Sequence, residues 1–285
     1  MKHLAILIGL GFLLSACVKN NPQPVWLSIN AWTLTTNPDV TANDPGALTH
    51  NFTDAWVYVD NKLIGVFQVP CKIPVLASGS KEVKIYPTVR NNGISATKKT
   101  YPFCSDYTVI MDLVEGQSYT INPTTYYKTG SDFWIEDFTE NSVHLTQDEN
   151  STATITQEND PAIAITGYYG HVHLSEGSAL WLATLSEALD LPQGGSEVYL
   201  EFDYRADSPT LTGMFALGAA TGTTQNDHVI AQANELQWKR MYIDFKEIVS
   251  YSVNANSFLP YFNAELPNSA TTADIYIDNI KIVHF

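Results

Sequence analysis

Charge is scarce in this chain, and positive charge is scarcer: 16% of its 285 residues are charged, with 15 Lys and Arg against 30 Asp and Glu. A formal net charge of −15 argues against nucleic acid or anionic lipid headgroups as partners, since phosphates bind basic faces. Cysteine is nearly missing, at three residues, and none forms the Cys-x-x-Cys pair of a thiolate metal site. The apolar run at residues 4–14 is shorter than the roughly 20 residues a membrane-crossing helix requires. A Gly-x-Ser-x-Gly elbow, a His-Glu-x-x-His helix and a phosphate loop are all lacking. Gly9-Leu10-Gly11 opens a dinucleotide-like pattern, but Leu14 stands at the third glycine position. No carboxylate pair marks a glycosidase. The sequence therefore predicts a protein that is not an enzyme.

Tyrosine (15) and phenylalanine (12) are abundant, a composition suited to pleated sheets. Strand-like runs occupy residues 55–59, 63–67, 82–89, 94–103, 108–113 and 118–121, after an alternating start at 25–32. Asp60-Asn61-Lys62 joins the first two, and Arg90-Asn91-Asn92-Gly93 supplies a turn signal. No segment of this half has a 3.6-residue apolar period. Beyond a boundary at 126–131, nine more runs follow: 133–138, 152–157, 162–168, 179–182, 197–205, 211–220, 237–245, 259–263 and 275–283. Short helical turns are expected at 184–188 and 246–251. The expected fold is all-β, a small sandwich over 25–128 followed by a larger two-sheet sandwich over 129–285.

Lys2 and His3 form a positive head before the apolar run, and Leu14-Ser15-Ala16-Cys17 closes it. This segment resembles the lipobox of bacterial lipoproteins. The resemblance implies removal of residues 1–16 and a lipidated Cys17, with residues 17–24 as linker. Loss of Lys2 would move the formal charge from −15 to −16. The implied location is the outer membrane, facing the periplasm or the cell surface. Val18-Lys19-Asn20-Asn21 lacks the acidic run that marks surface export in some Bacteroidetes-like lipoproteins, so the periplasmic side is the default.

Val57-Tyr58-Val59-Asp60-Asn61-Lys62-Leu63-Ile64-Gly65, with Val75-Leu76-Ala77-Ser78-Gly79 and the strand from Glu82, resembles the small PEGA-type β-domain of envelope proteins. Immunoglobulin-like sandwiches share this hairpin logic. The Pro-Glu-Gly-Ala signature is absent, and the resemblance implies a spacer or adhesive module. A second resemblance covers 129–285. The runs 198–205 and 238–245 and the closing Ala273-Asp274-Ile275-Tyr276-Ile277-Asp278-Asn279-Ile280-Lys281-Ile282 are similar to strands of galactose-binding-like jelly rolls, which include many carbohydrate-binding modules. That likeness implies glycan binding. It also implies a structural calcium between first and last strands, with Glu136, Asp137 and Asp278 as ligands and Asp274 or carbonyls adding to the set.

Tyr168, Tyr169 and Trp181 are the expected stacking platforms for a sugar, with His171 and His173 as polar neighbours. Trp238 is expected in the core. His171-Val172-His173 places two imidazoles on one strand face, as a metal site would need, with His144 or Glu176 as a third ligand; a solvated polar face is the other reading. In an oxidising compartment Cys71 and Cys104 invite a disulfide, with a stabilisation of roughly 3–4 kcal/mol. The sequence thus reads as a lipid-anchored, non-catalytic envelope protein that binds glycan. The alternative is a structural or interaction subunit of an outer-membrane complex.

Overall fold

The computed structural model describes residues 21–139, 143–219 and 222–285. Cys17 and the apolar segment before it lie outside the described residues. The chain is all-β, as the alternating pattern predicts. Its first strands are β1 (Val25–Ile29), β2 (Thr33–Leu34), β3 (Asp54–Val59), β4 (Lys62–Gln68) and β5 (Cys71–Val75). Then come β6 (Gly79–Arg90), β7 (Lys98–Thr100), β8 (Tyr107–Leu113), β9 (Ser118–Ile121) and β10 (Thr124–Thr125). The second half continues with β11 (Asp132–Glu136), β12 (Leu145–Gln147), β13 (Ile155–Glu158), β14 (Tyr169–Ser175), β15 (Leu180–Leu185) and β16 (Val198–Ala206). It closes with β17 (Thr210–Gly218), β18 (Gly222–Ala231), β19 (Lys239–Asp244), helix α1 (Lys246–Tyr251), β20 (Ser257–Glu265) and β21 (Thr272–His284).

Strands β1 to β10 pair only among themselves. Asp60 and Asn61, both at positive φ (47° and 61°), make the tight turn that lets β3 fold back onto β4. β3 and β8 flank the long β6, while β1 lies between antiparallel β5 and parallel β9. Alternation decides which side chains go inward. Val25, Leu27 and Ile29 of β1 and Ala55, Val57 and Val59 of β3 are buried, and they meet Phe103, Leu113 and Ile121 in one core.

Strands β11 to β21 form two facing sheets, ordered β13-β14-β21-β16-β19 (with β11 also on β21) and β12-β15-β20-β17-β18. Val172, Leu200, Phe202, Met241 and Ile243 face Trp181, Met214, Phe258 and Phe262 across the sandwich. On β21 the inward isoleucines change parity: Ile275 and Ile277 are odd, Ile280 and Ile282 even. The ladder accommodates this with a bulge. Glu201 pairs with Lys281 but Asp203 with Asp278, and Asn279 takes a left-handed φ of 49°.

The two halves share buried surface. Tyr199, Tyr242 and Val283 lie on the outer face of the six-stranded sheet, yet they belong to the core of the first half. Beside them Glu201 accepts from Arg240 and from the Tyr127 hydroxyl at 2.7 Å, and Tyr101 donates to its other oxygen. Asp203 accepts from Arg240 Nη1 at 2.9 Å, and the Lys281 ammonium donates to the Ala47 carbonyl at 2.6 Å. The part of the outer sheet face around Tyr199, Glu201 and Tyr242 is thereby closed to any large ligand.

Candidate functional site

Two open depressions, of about 490 and about 670 Å³, share His228, Glu247 and Tyr251 in their walls and form one cleft. Its first wall follows from strand parity at the sandwich edge. Met214 and Ala216 of β17 face the core, and opposite them on the edge strand β18 stand Asn226 and Thr224. The inward row has turned polar where water enters between the sheets. Thr212 pairs with Val229 and Gly213 with Asp227, so His228 is the extra residue of a bulge that aims its ring into the cleft. His228 Nε2 donates to the Asp244 carbonyl at 2.9 Å, which fixes the ring and leaves Nδ1 as its acceptor in the neutral form.

The opposite wall comes from the first half of the chain. Asn91 and Asn92 sit in a 3₁₀ turn, Asn92 with φ 56°. Gly93 follows at φ 72°, a left-handed conformation that favours glycine, beside the flexible end of Met241. Asn92 Oδ1 accepts from the Asp244 N–H at 2.8 Å, tying the turn to the sandwich. Lys99 bridges Asp244 (2.9 Å) and Glu197 (3.0 Å), and Lys246 reaches Glu197 at 2.9 Å. Burial alone would raise the Asp244 carboxyl, but the Lys99 ammonium, with the Lys246 N–H and the Asn91 amide, holds it below the usual range. Tyr251, last residue of α1, is 79% exposed. The cleft therefore offers one open aromatic ring beside amides, hydroxyls, an imidazole and fixed charges. Such a set stacks on an apolar ring face and hydrogen-bonds the groups around its rim.

The residues expected to form a sugar site are not brought together. Trp181 is fully buried, stacked on Phe262 at 6.0 Å between the sheets, because its parity on β15 matches inward Ala183 and Leu185. Tyr169 is also fully buried as a residue, with its hydroxyl 3.2 Å from Glu158. Neither ring can be a platform. Tyr168 is 38% exposed on a separate shallow depression, and His171 and His173 stand together on the outer sheet face. Trp238 reverses its expectation as well: it is half-buried outside the core, donating to the Ile163 carbonyl at 2.6 Å.

Cys71 and Cys104 are free thiols, which corrects the expected disulfide. Cys71 is held on β5 opposite Ile29, while Cys104 is buried at a bridge with Tyr127, so different elements fix the two. Within the expected calcium set, Glu136 is already occupied. Both Glu136 oxygens already accept backbone N–H groups, from Phe138 at 2.6 Å and from His144. Asp137 accepts from the Thr139 N–H at 3.1 Å, and Asp278 is buried with Oδ2 unpaired among the described residues. In place of His144 or Glu176, the structure puts Asp274 beside His171 and His173.

Asn226 and His228 fall at 222–231, where the sequence pattern places no strand, and Tyr251 ends the helical turn expected at 246–251 without being singled out as a site residue. Residues 223–228 are all polar, so the apolar alternation that marks a strand is missing there.

No family model and no curated protein matches this chain. Among solved structures, it resembles the CBM22-2 xylan-binding domain from Paenibacillus barcinonensis Xyn10C, at 12% identity and TM-score 0.40, over 53% of this chain and 99% of that one. A carbohydrate-binding module of the β-sandwich superfamily aligns at 12% identity and TM-score 0.38, over 80% of this chain and 83% of its own. The enzymatically active domain of bacteriophage CBA120 tailspike protein 4 aligns at 15% identity and TM-score 0.35, over 54% of this chain but only 19% of that chain. At these values the likeness carries no argument about ligand or activity.

Proposed function

We propose that this chain is a lipid-anchored envelope protein without catalytic activity, whose second sandwich (129–285) binds glycan in the Tyr251 cleft. Cys17 would carry the anchor in the outer membrane, and residues 25–128 would serve as spacer and as the cleft's second wall. One observation carries the binding site: an exposed phenol ring, Tyr251, stands over a cleft lined by Asn226, His228, Asn91 and Glu247. A sugar face covers the ring, and vicinal hydroxyls meet planar amide and carboxylate groups.

The test is a polysaccharide and glycan panel on wild type and Tyr251→Ala. Loss of the platform should weaken binding about tenfold, roughly 1–2 kcal/mol, with melting unchanged because the ring is exposed. A folded wild type that ignores the panel would shift the reading to a protein partner. The anchor is tested by Cys17→Ala, which should leave the membrane fraction.

A structural calcium belongs to the same proposal, in narrower form. The unpaired Asp278 Oδ2 is the oxygen that fits such an ion, with Asp137 as the nearby second carboxylate.

A further inference from the structure

Beyond that cover, the outer sheet face carries a second cluster, unrelated to the cleft. Alternation along β14 puts His171 and His173 on one face, and antiparallel β21 places Tyr276 opposite His171 and Asp274 opposite His173. His171 Nε2 lies 2.9 Å from Asp274 Oδ1, and His173 Nδ1 lies 2.8 Å from the same oxygen. Among the described residues, these three alone form a group of His, Cys, Asp or Glu whose ligand atoms all fall within 4.8 Å of one another.

The orientation of His171 is fixed from outside. Its Nδ1 is 2.8 Å from Glu158 Oε1 and its Nε2 2.9 Å from Asp274 Oδ1, so the ring that donates from Nδ1 to Glu158 turns its Nε2 lone pair toward a second acceptor, a contact that needs either a second ring proton or a metal ion between them. The ring stacks on Tyr276 at 4.4 Å and 9°, and the Arg205 guanidinium lies over the Tyr276 ring at 5.0 Å. A carboxylate that orients a histidine from its second nitrogen is the arrangement that supports metal-bound imidazoles. His171 Nε2, a second imidazole nitrogen and a carboxylate oxygen converge on one point, where imidazole protons or a metal ion can join them. Glu158, Asp207 and Asp274 outnumber Arg205 around it, with Asp207 accepting from the Asp274 N–H at 2.6 Å.

We propose that His171, His173 and Asp274 bind a divalent transition-metal ion of the imidazole-preferring class, with zinc as the first candidate. The donors open from 2.8–2.9 Å to the edge of about 3.3 Å that bonds of roughly 2.0–2.2 Å to a tetrahedral ion require. The His173 side chain is 53% exposed, so the fourth position faces solvent. Two imidazoles and one carboxylate suit zinc, cobalt, nickel or copper better than calcium or magnesium, which take oxygen ligands.

The experiment uses the full chain without a histidine tag, stripped with EDTA, and titrated with Zn²⁺ by calorimetry and with Co²⁺ by visible absorption. Wild type should bind one equivalent and develop the absorption of four- or five-coordinate cobalt. His173→Ala and Asp274→Asn should each lose at least tenfold in affinity together with that band, while metal-free melting confirms that they fold. Glu158→Gln should weaken binding by about 10–100-fold without abolishing it. Tyr251→Ala should bind metal as wild type does, which separates this site from the glycan cleft. Equal affinity and stoichiometry in wild type, His173→Ala and Asp274→Asn would overturn the proposal, as would a wild type that gives no cobalt band.

Discussion

Arg240 grips one oxygen of Glu201 from two nitrogens, Nε at 3.1 Å and Nη2 at 2.6 Å, with both side chains almost wholly removed from water. The pair lies within the second sandwich, on β19 and β16, but Tyr101 and Tyr127 of the first half complete its hydrogen bonds. Burial alone would raise the Glu201 carboxyl, and the Arg240 and Lys281 cations bring it below its ordinary value. The pair is thus a joint between the halves.

Removing Arg240 leaves the Glu201 and Asp203 carboxylates buried without their bound guanidinium. Arg240→Met should destabilise the protein by about 3–5 kcal/mol in urea or thermal unfolding. The same variant should expose Tyr101 and Tyr127 to solvent, seen as increased tyrosine accessibility before the main transition. A cost below about 1 kcal/mol would show that the joint is not needed to hold the halves together.

The two tryptophans should behave in opposite ways. Trp181→Ala empties a fully buried site between the sheets and should cost about 3–5 kcal/mol. Trp238→Ala loses mainly one indole hydrogen bond, to Ile163, and should cost about 1 kcal/mol. Comparable melting temperatures for the two variants would contradict this placement.

Thiol chemistry distinguishes free cysteines from a bridge. Denatured protein should label at Cys71 and Cys104 without any reductant. In native protein both should react slowly at neutral pH, Cys104 the more so, because burial pushes both thiols upward and Cys104 the further. Labelling that appears only after reduction would restore the disulfide.

Asp278 gives the protein a pH dependence of defined sign. Burial lifts its carboxyl to about 8, with the Asp203 and Asp137 charges adding to the rise. The unfolded chain releases that proton near pH 4. The contribution of Asp278 is therefore full below about pH 4 and is lost as pH rises towards 8. Asp278→Asn, which cannot ionise, should gain on wild type steadily between pH 5 and 8 in melting temperature. Bound calcium favours the ionised form, so it should raise the wild-type melting temperature at pH 8 and hardly at pH 5. Identical melting at pH 8 with calcium and with excess EGTA would remove the calcium proposal.

Side-chain alternation is local, and so the sequence announces an all-β chain through runs such as 55–59 and 82–89. It also announces the closing strand, including the Asp278-Asn279 pair that separates inward Ile277 from inward Ile280 by three residues instead of two. That spacing is a bulge written in the sequence. Which aromatic faces water is a different matter, because burial depends on what covers a strand from outside it. Trp181 and Trp238 each stand in alternating runs, and only the packing of one sheet on the other sends the first inward and leaves the second at the rim. His171 and His173 are legible as a pair two residues apart, but Asp274 joins them from 101 residues beyond His173, through the register of β14 on β21. The cleft is still less local: Asn91 and Tyr251 share it because a buried ion pair and a shared aromatic core fasten one half of the chain to the other. Local periodicity fixes strands and their faces; long-range pairing and burial decide which of those faces become sites.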